Sequence, residues 1–232
     1  MRQATLDRLL ADRAAERPVV LATALDDASD LLIHPAEDPP AEQPLAAGMR
    51  EAAAECLRAD SAATREIEGR RWLLNPYNPP LRMILVGAVH IAQALIPMAT
   101  QAGYHVSVID PRRAFATGER FPAVDLSTDW PDEALEAHAP DARTAVITLT
   151  HDPKLDDPAL AAALRSDAFY IGALGSRRTH GARCERLREM GFTDDDLARI
   201  HGPVGLSIGG RNPAEIAVSV LAQVISCLRQ AE

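Results

Sequence analysis

Two rhythms of apolar residues run along the chain. Residues 81–86 (LRMILV), 104–109 (YHVSVI), 144–149 (TAVITL) and 168–171 (AFYI) are short apolar runs, the pattern of strands buried on both faces. Residues 123–126 add a short further strand. Between the first two runs, Ile91, Leu95 and Met98 recur at helical spacing over 91–102, and Gly103 stops that helix. Residues 147–178 read as strand, polar loop, helix, strand, glycine turn and helix start. Asn212 as cap and Pro213 as first position open a last helix running to about Arg229. Strands alternating with helices imply an α/β fold: a Rossmann-like, doubly wound parallel sheet.

The first third of the chain predicts a smaller α/β domain. Leu6, Leu9 and Leu10 mark one face of a helix over 5–17. Residues 18–25 and 30–34 read as strands, 44–60 as an Ala-rich helix, and 64–74 as a strand pair turned at Gly69. The acidic, proline-rich loop 35–44 reads as exposed. Residues 75–80 (NPYNPP) hold three prolines, which break both helix and central strand. The reading is therefore a domain over 1–75, a linker over 76–80 and a second domain over 81–232.

Composition narrows the function. The 232 residues carry a net charge of −9, which argues against a nucleic-acid partner, since phosphate neutralisation needs a basic face. No apolar run approaches the roughly 20 residues that span a bilayer, and the N-terminus lacks the apolar core of a signal peptide. Cys56, Cys184 and Cys227 are far apart and form no CxxC pair, which fits a reducing, cytoplasmic setting and no metal site. Lys154 is the only lysine; every other basic side chain is arginine, so arginine alone is a weak signal.

The candidate chemistry gathers at strand ends, where open parallel sheets bind ligands. Gly87 and His90 open a helix after a strand, and Asp110 ends the next strand, as in a dinucleotide fingerprint; Val89, however, stands where the second glycine should let a pyrophosphate approach. Asp110 and Arg112 read either as a turn or as hydroxyl and phosphate ligands. Thr150, His151 and Asp152 supply donors, an acceptor and a titratable ring, or else cap the next helix. Asp156 and Asp157 read as helix N-terminal acids favouring the macrodipole. Gly172, Gly175, Ser176 and Arg177 form a glycine turn into a helix whose first-turn arginines oppose the helix dipole, a conflict that a bound anion resolves. Gly209 and Arg211, in the glycine-rich loop before the last helix, suggest a second pocket wall. No Ser-His-Asp order or catalytic carboxylate pair stands out.

GAVHIAQAL, VSVIDPR, LTHDPKLDDPAL, YIGALGSRRTH and HGPVGLSIGGRNPAEIAVSVLAQVI, in that order, resemble the C-terminal domain of the XdhC/CoxI family over residues 81–229. The resemblance implies an accessory protein of xanthine dehydrogenase, in purine catabolism, and of related molybdenum hydroxylases, rather than a turnover enzyme. Such a protein binds the molybdenum cofactor (molybdopterin), shelters it during sulfuration by a cysteine desulfurase, and passes it to the apo-hydroxylase; a homodimer is one open oligomeric state. By the resemblance the cofactor's phosphate meets Ser176, Arg177 and the helix start at His90, while Thr150, His151 and Asp152 face the pterin or the metal. Val89 replaces the family's usual glycine, Ser207 stands where an acid is common, and Cys56 is no convincing equivalent of the family's N-terminal cysteine. An NAD(P)-binding Rossmann oxidoreductase and a pure interaction module are the rival readings.

Overall fold

The computed structural model describes residues 1–37 and 45–230, so the predicted loop 35–44 falls largely outside the described residues. The described residues divide into two compact units, one up to Pro79 and one from Pro80 onward.

The first unit is a four-stranded antiparallel sheet with helices α1 (Gln3–Ala14) and α2 (Met49–Ala59). Its strands β1 (Val19–Ala24), β2 (Asp30–Ile33), β3 (Ala63–Ile67) and β4 (Arg70–Tyr77) run in the order β2-β1-β4-β3. Met49, Ala53 and Cys56 of α2 close a core with Val20, Ala22, Ile33, Trp72 and Leu74. In α1 only Leu9 of the predicted leucine face is buried; Leu10 is 50% exposed, and Thr5 and Asp12 turn inward instead because they bond to Asp30 and His34. The predicted linker begins later than the prolines suggest. Pro76 and Tyr77 pair with Val20 and Val19 in β4. Pro76 is tolerated because β3 ends opposite Leu74, leaving that side of β4 an edge where a missing N–H breaks no ladder bond.

The second unit is a Rossmann-like parallel sheet of β5 (Leu81–Val86), β6 (Tyr104–Ile109), β7 (Asp125–Ser127), β8 (Thr144–Thr148), β9 (Tyr170–Ala173) and β10 (Ile200–His201). The order β10-β9-β8-β5-β6-β7 reverses direction between β5 and β8. Right-handed crossovers force this arrangement, with helices on both faces. Helices α3 (His90–Gln101) and α8 (Pro213–Gln230) cover one face through Ala92, Leu95, Ala99, Ala217, Val220 and Val224. The other face takes α4 (Pro131–His138), α5 (Pro153–Leu164), α6 (Arg177–Glu189) and the short α7 (Asp194–Ala198).

Most predicted elements are present, with shifts at weak signals. The strands expected at 123–126 and 168–171 start two residues later. In α3 the buried positions are Ala92, Leu95 and Ala99, not Ile91 and Met98, because small residues allow the close approach of α8. Helices α4 and α7 and strand β10 carry too little apolar periodicity to be read from sequence.

Candidate functional site

The carboxyl ends of β5, β6, β8 and β9 bring four polar turns to one edge of the sheet, around the switch point between β5 and β8. At β5, Gly87 has φ 120° and donates its N–H to Ile109 O at 2.8 Å. The Asp110 side chain, 0% exposed, accepts the Ala88 N–H at 2.8 Å. The same carboxylate accepts the backbone N–H of Arg112 at 3.0 Å and its Nε and Nη2 at 2.9 and 2.8 Å. Burial opposes ionisation of Asp110, but the Arg112 guanidinium and the two amides outweigh it and hold its carboxyl below the usual range.

This corrects the expected division of labour. Asp110 offers no free oxygen to a ribose hydroxyl; it anchors the Gly87–Ala88 turn and orients Arg112. The Ala88 amide, which a pyrophosphate would need, is committed to it. Arg120 adds a strap: Nη1 donates to Ala88 O at 3.0 Å and Phe115 O at 2.7 Å, and Nη2 to Gln93 Oε1 at 3.2 Å. With Val89 at the helix N-cap, the turn is tied to its own protein rather than presented to a dinucleotide. His90 is exposed at the first position of α3.

After β8, Thr150 Oγ1 donates to Asp156 Oδ1 at 2.6 Å and accepts the Asp152 N–H at 3.0 Å. His151 takes the left-handed conformation (φ 69°) with its ring exposed, and its N–H donates to Asp156 Oδ2 at 3.1 Å. Asp152 caps α5, accepting the Lys154 N–H at 3.0 Å, and the Lys154 side chain is exposed. Asp156 lies in the first turn of α5, as the sequence suggests, and Asp156 and Asp157 are both buried there. Asp156 is 1% exposed beside Arg183, and Asp157 is held by the guanidinium of Arg186. Burial pushes the Asp156 carboxyl up, against the pull of the Thr150 hydroxyl and the Arg183 charge.

After β9, Ser176 caps α6, its Oγ accepting the Thr179 N–H at 3.1 Å. No acid lies in the first turn of α6, and Arg177 and Arg178 are exposed there. Gly175 (φ 148°) makes the turn into the helix. Gly172 does not join the turns: it is buried in β9, where a Cβ would meet Val204 Cγ2 at 2.7 Å and Tyr170 Cε1 at 2.8 Å, so it serves packing. Gly209 and Arg211 are exposed in the loop between β10 and α8, where the Arg211 N–H donates to Glu215 Oε2 at 2.7 Å.

Sequence reasoning missed Arg183. It is 2% exposed and donates Nη2 to Leu174 O at 2.9 Å; its Nε and Nη1 have no protein partner among the described residues. One signal was available. Residues 180, 183, 184 and 187 form the inward stripe of α6, so an arginine at 183 is out of place on a purely structural face. Burial, and then the neighbouring Arg183, push the pKa of His180, on the same stripe, below the usual histidine value, and Cys184 Sγ lies 3.6 Å from its Nε2. No cluster that could hold a metal ion occurs among the described residues.

Residues 83–224 match the family described as the XdhC Rossmann domain. The chain is 34% identical over 159 residues to the molybdenum cofactor insertion chaperone PaoD of Escherichia coli, spanning 67% of this chain and 44% of that protein. It is 32% identical over 148 residues to a probable xanthine dehydrogenase subunit of Bacillus subtilis, spanning 63% and 43%. A crystallised Bacillus halodurans protein described as a xanthine dehydrogenase shares the fold, with a TM-score of 0.72 and 24% identity over 98% of this chain and 64% of that one. The chain thus spans less than half the length of the Escherichia coli and Bacillus subtilis relatives.

Proposed function

The chain belongs to the XdhC family, and from that premise we propose that it binds the molybdenum cofactor as cargo and delivers it to a xanthine dehydrogenase-type apo-hydroxylase. The observation that carries this reading is the start of α6. Arg177 and Arg178 stand exposed on a helix N-terminus with no acid in its first turn, an arrangement that favours an anion over an empty end. The buried, incompletely partnered Arg183 beneath the preceding turn adds positive potential there. The cargo carries a phosphate, so its anionic end suits Ser176, Arg177 and the first amides of α6. Thr150, His151 and Asp152, one strand away across the β8–β9 pairing, would then face the pterin or the metal end. Gly209 and Arg211 belong to the loop that would wall the other side.

The finer steps belong to the same reading. Sulfuration by a cysteine desulfurase while the cargo is held, and release on docking to the client, would take place in the cytoplasm. No helix among the described residues is long and apolar enough to cross a membrane. The NAD(P) alternative loses support from the committed Ala88 amide and Asp110 carboxylate.

Purification from cofactor-producing cells, followed by assay for bound molybdopterin and molybdenum, tests the proposal. Bound cofactor, weakened at least tenfold in Arg177→Ala or His151→Ala, is expected. A protein that emerges empty and takes up no added cofactor would sink it.

A further inference from the structure

Asp156 of α5 and Arg183 of α6 are 1% and 2% exposed, and between them they touch two of the site's turns. Asp156 accepts the Thr150 hydroxyl and the His151 N–H, both on the turn after β8. Arg183 donates to Leu174 O, on the turn after β9, and the same Nη2 lies 3.5 Å from Asp156 Oδ2. One carboxylate thus holds one turn, one guanidinium holds the other, and the two groups meet.

We propose that Asp156 and Arg183 are positioning residues that act as one clamp, setting the separation of the Thr150–Asp152 turn from the Leu174–Arg177 turn and so the affinity for a phosphate-bearing cargo. For its ligand this rests on the function proposed above; the coupling between the turns rests on geometry alone.

Helix docking does not account for the pair. Asp157 and Arg186 already join α5 to α6 through two hydrogen bonds, and neither touches a turn. A buried ion pair is also a weak source of stability, because desolvation offsets much of the attraction. The geometry here is poor for stability: a single 3.5 Å contact leaves Arg183 Nε and Nη1 without protein partners. It is good for coupling, since each group spends its better bonds on a different turn. The left-handed His151 needs such support, because a non-glycine residue holds that conformation only when its surroundings impose it.

Amide hydrogen exchange at His151 and Asp152 tests the clamp, in Arg183→Met, Arg183→Lys and Asp156→Asn, with Arg186→Met as the helix-docking control. Arg183→Met, made on α6, is expected to speed exchange at His151 at least tenfold. Arg186→Met should leave it within twofold, and Arg183→Lys, which keeps the charge and one donor, should restore part of the protection. Affinity for molybdenum cofactor released from a purified hydroxylase should fall at least tenfold in Arg183→Met and not in Arg186→Met. Exchange at His151 unchanged in Arg183→Met, or moved no further than in Arg186→Met, would overturn the clamp. Unchanged cofactor affinity in Arg183→Met would overturn its role in binding. If Arg183→Met does not fold, Arg183→Lys and Asp156→Asn carry the same comparison. A wild-type protein that binds no cofactor would instead count against the functional reading, with the exchange data still judging the clamp.

Discussion

Gly87 lies against the methyl group of Thr150: a Cβ on the glycine would stand 2.7 Å from Thr150 Cγ2. The two residues follow β5 and β8, the strands between which the sheet reverses order, so this contact sets how closely the two turns approach at the switch point. Gly87 also holds φ 120°, which side chains rarely adopt. Gly87→Ala is therefore expected to cost about 2 kcal/mol or more, from backbone strain and overpacking together. Thr150→Ser removes the methyl and keeps the hydroxyl that Asp156 accepts, so in that background the penalty should shrink by about 1 kcal/mol, leaving the strain. Urea unfolding of the four proteins of this cycle measures the coupling; an identical penalty in both backgrounds would show that the contact is immaterial.

The commitment of Asp110 predicts a negative result with dinucleotides. Restoring the missing glycine by Val89→Gly should not create micromolar binding of NADH or NADPH, because the Ala88 amide still donates to Asp110 and Arg112 still fills that carboxylate. Fluorescence titration of wild type and variant checks this. Micromolar binding with hydride turnover in the wild type would favour an oxidoreductase instead.

The Rossmann sheet is legible in the sequence because its central strands are mostly buried on both faces and so read as short, mainly apolar runs, as in β5 and β8. The turns are legible by position: Thr150, Asp152, Ser176 and Arg177 all follow strands. What joins the turns is not. Asp156 and Arg183 stand on different helices, and no periodicity relates an acid at the start of one to an arginine midway along the next. The arginine-rich composition hides Arg183 further, since only its place on the inward stripe of α6 distinguishes it from the exposed Arg177 and Arg178. Asp110 is visible as the residue that ends a strand, but its direction is not, because sequence does not show that an arginine two residues on folds back to it.

Acid should weaken the small N-terminal unit through Asp30. Burial disfavours its charge, yet the Thr5 hydroxyl at 2.8 Å and Arg2, through its backbone N–H at 2.7 Å and Nε at 3.0 Å, pull its pKa down from 3.8 to about 2. A carboxylate whose folded pKa is depressed stabilises above its unfolded value and loses that contribution as pH falls toward the folded value. The loss here spans roughly pH 4 to 2 and amounts to about 1–2 kcal/mol. Denaturant midpoints at pH 5 and pH 2.5 should separate less in Asp30→Asn than in wild type; equal separation would show that Asp30 does not carry the effect.

Gln223 of α8 ties the glycine-rich loop to the sheet, and its removal should free the loop. Its Oε1 accepts the Tyr170 hydroxyl at 2.6 Å and the Gly205 N–H at 2.7 Å. Tyr170 is 1% exposed and stacked on His201, with ring centroids 4.7 Å apart, so its hydroxyl cannot turn to water without breaking that stack. Gln223→Leu keeps the apolar stem and removes the shared acceptor, leaving two donors unpaired at about 1–3 kcal/mol each. Gln223→Glu keeps an acceptor at the same place and should cost less. The loop gives a second readout, because the exposed Arg211 lies downstream of Gly205 and is a tryptic site. Cleavage after Arg211 should accelerate in Gln223→Leu more than in Gln223→Glu. Equal cleavage rates in the two variants would mean that the loop is held by its other bonds, from Val204 N–H to Ala173 O and from Leu206 N–H to Ser219 O.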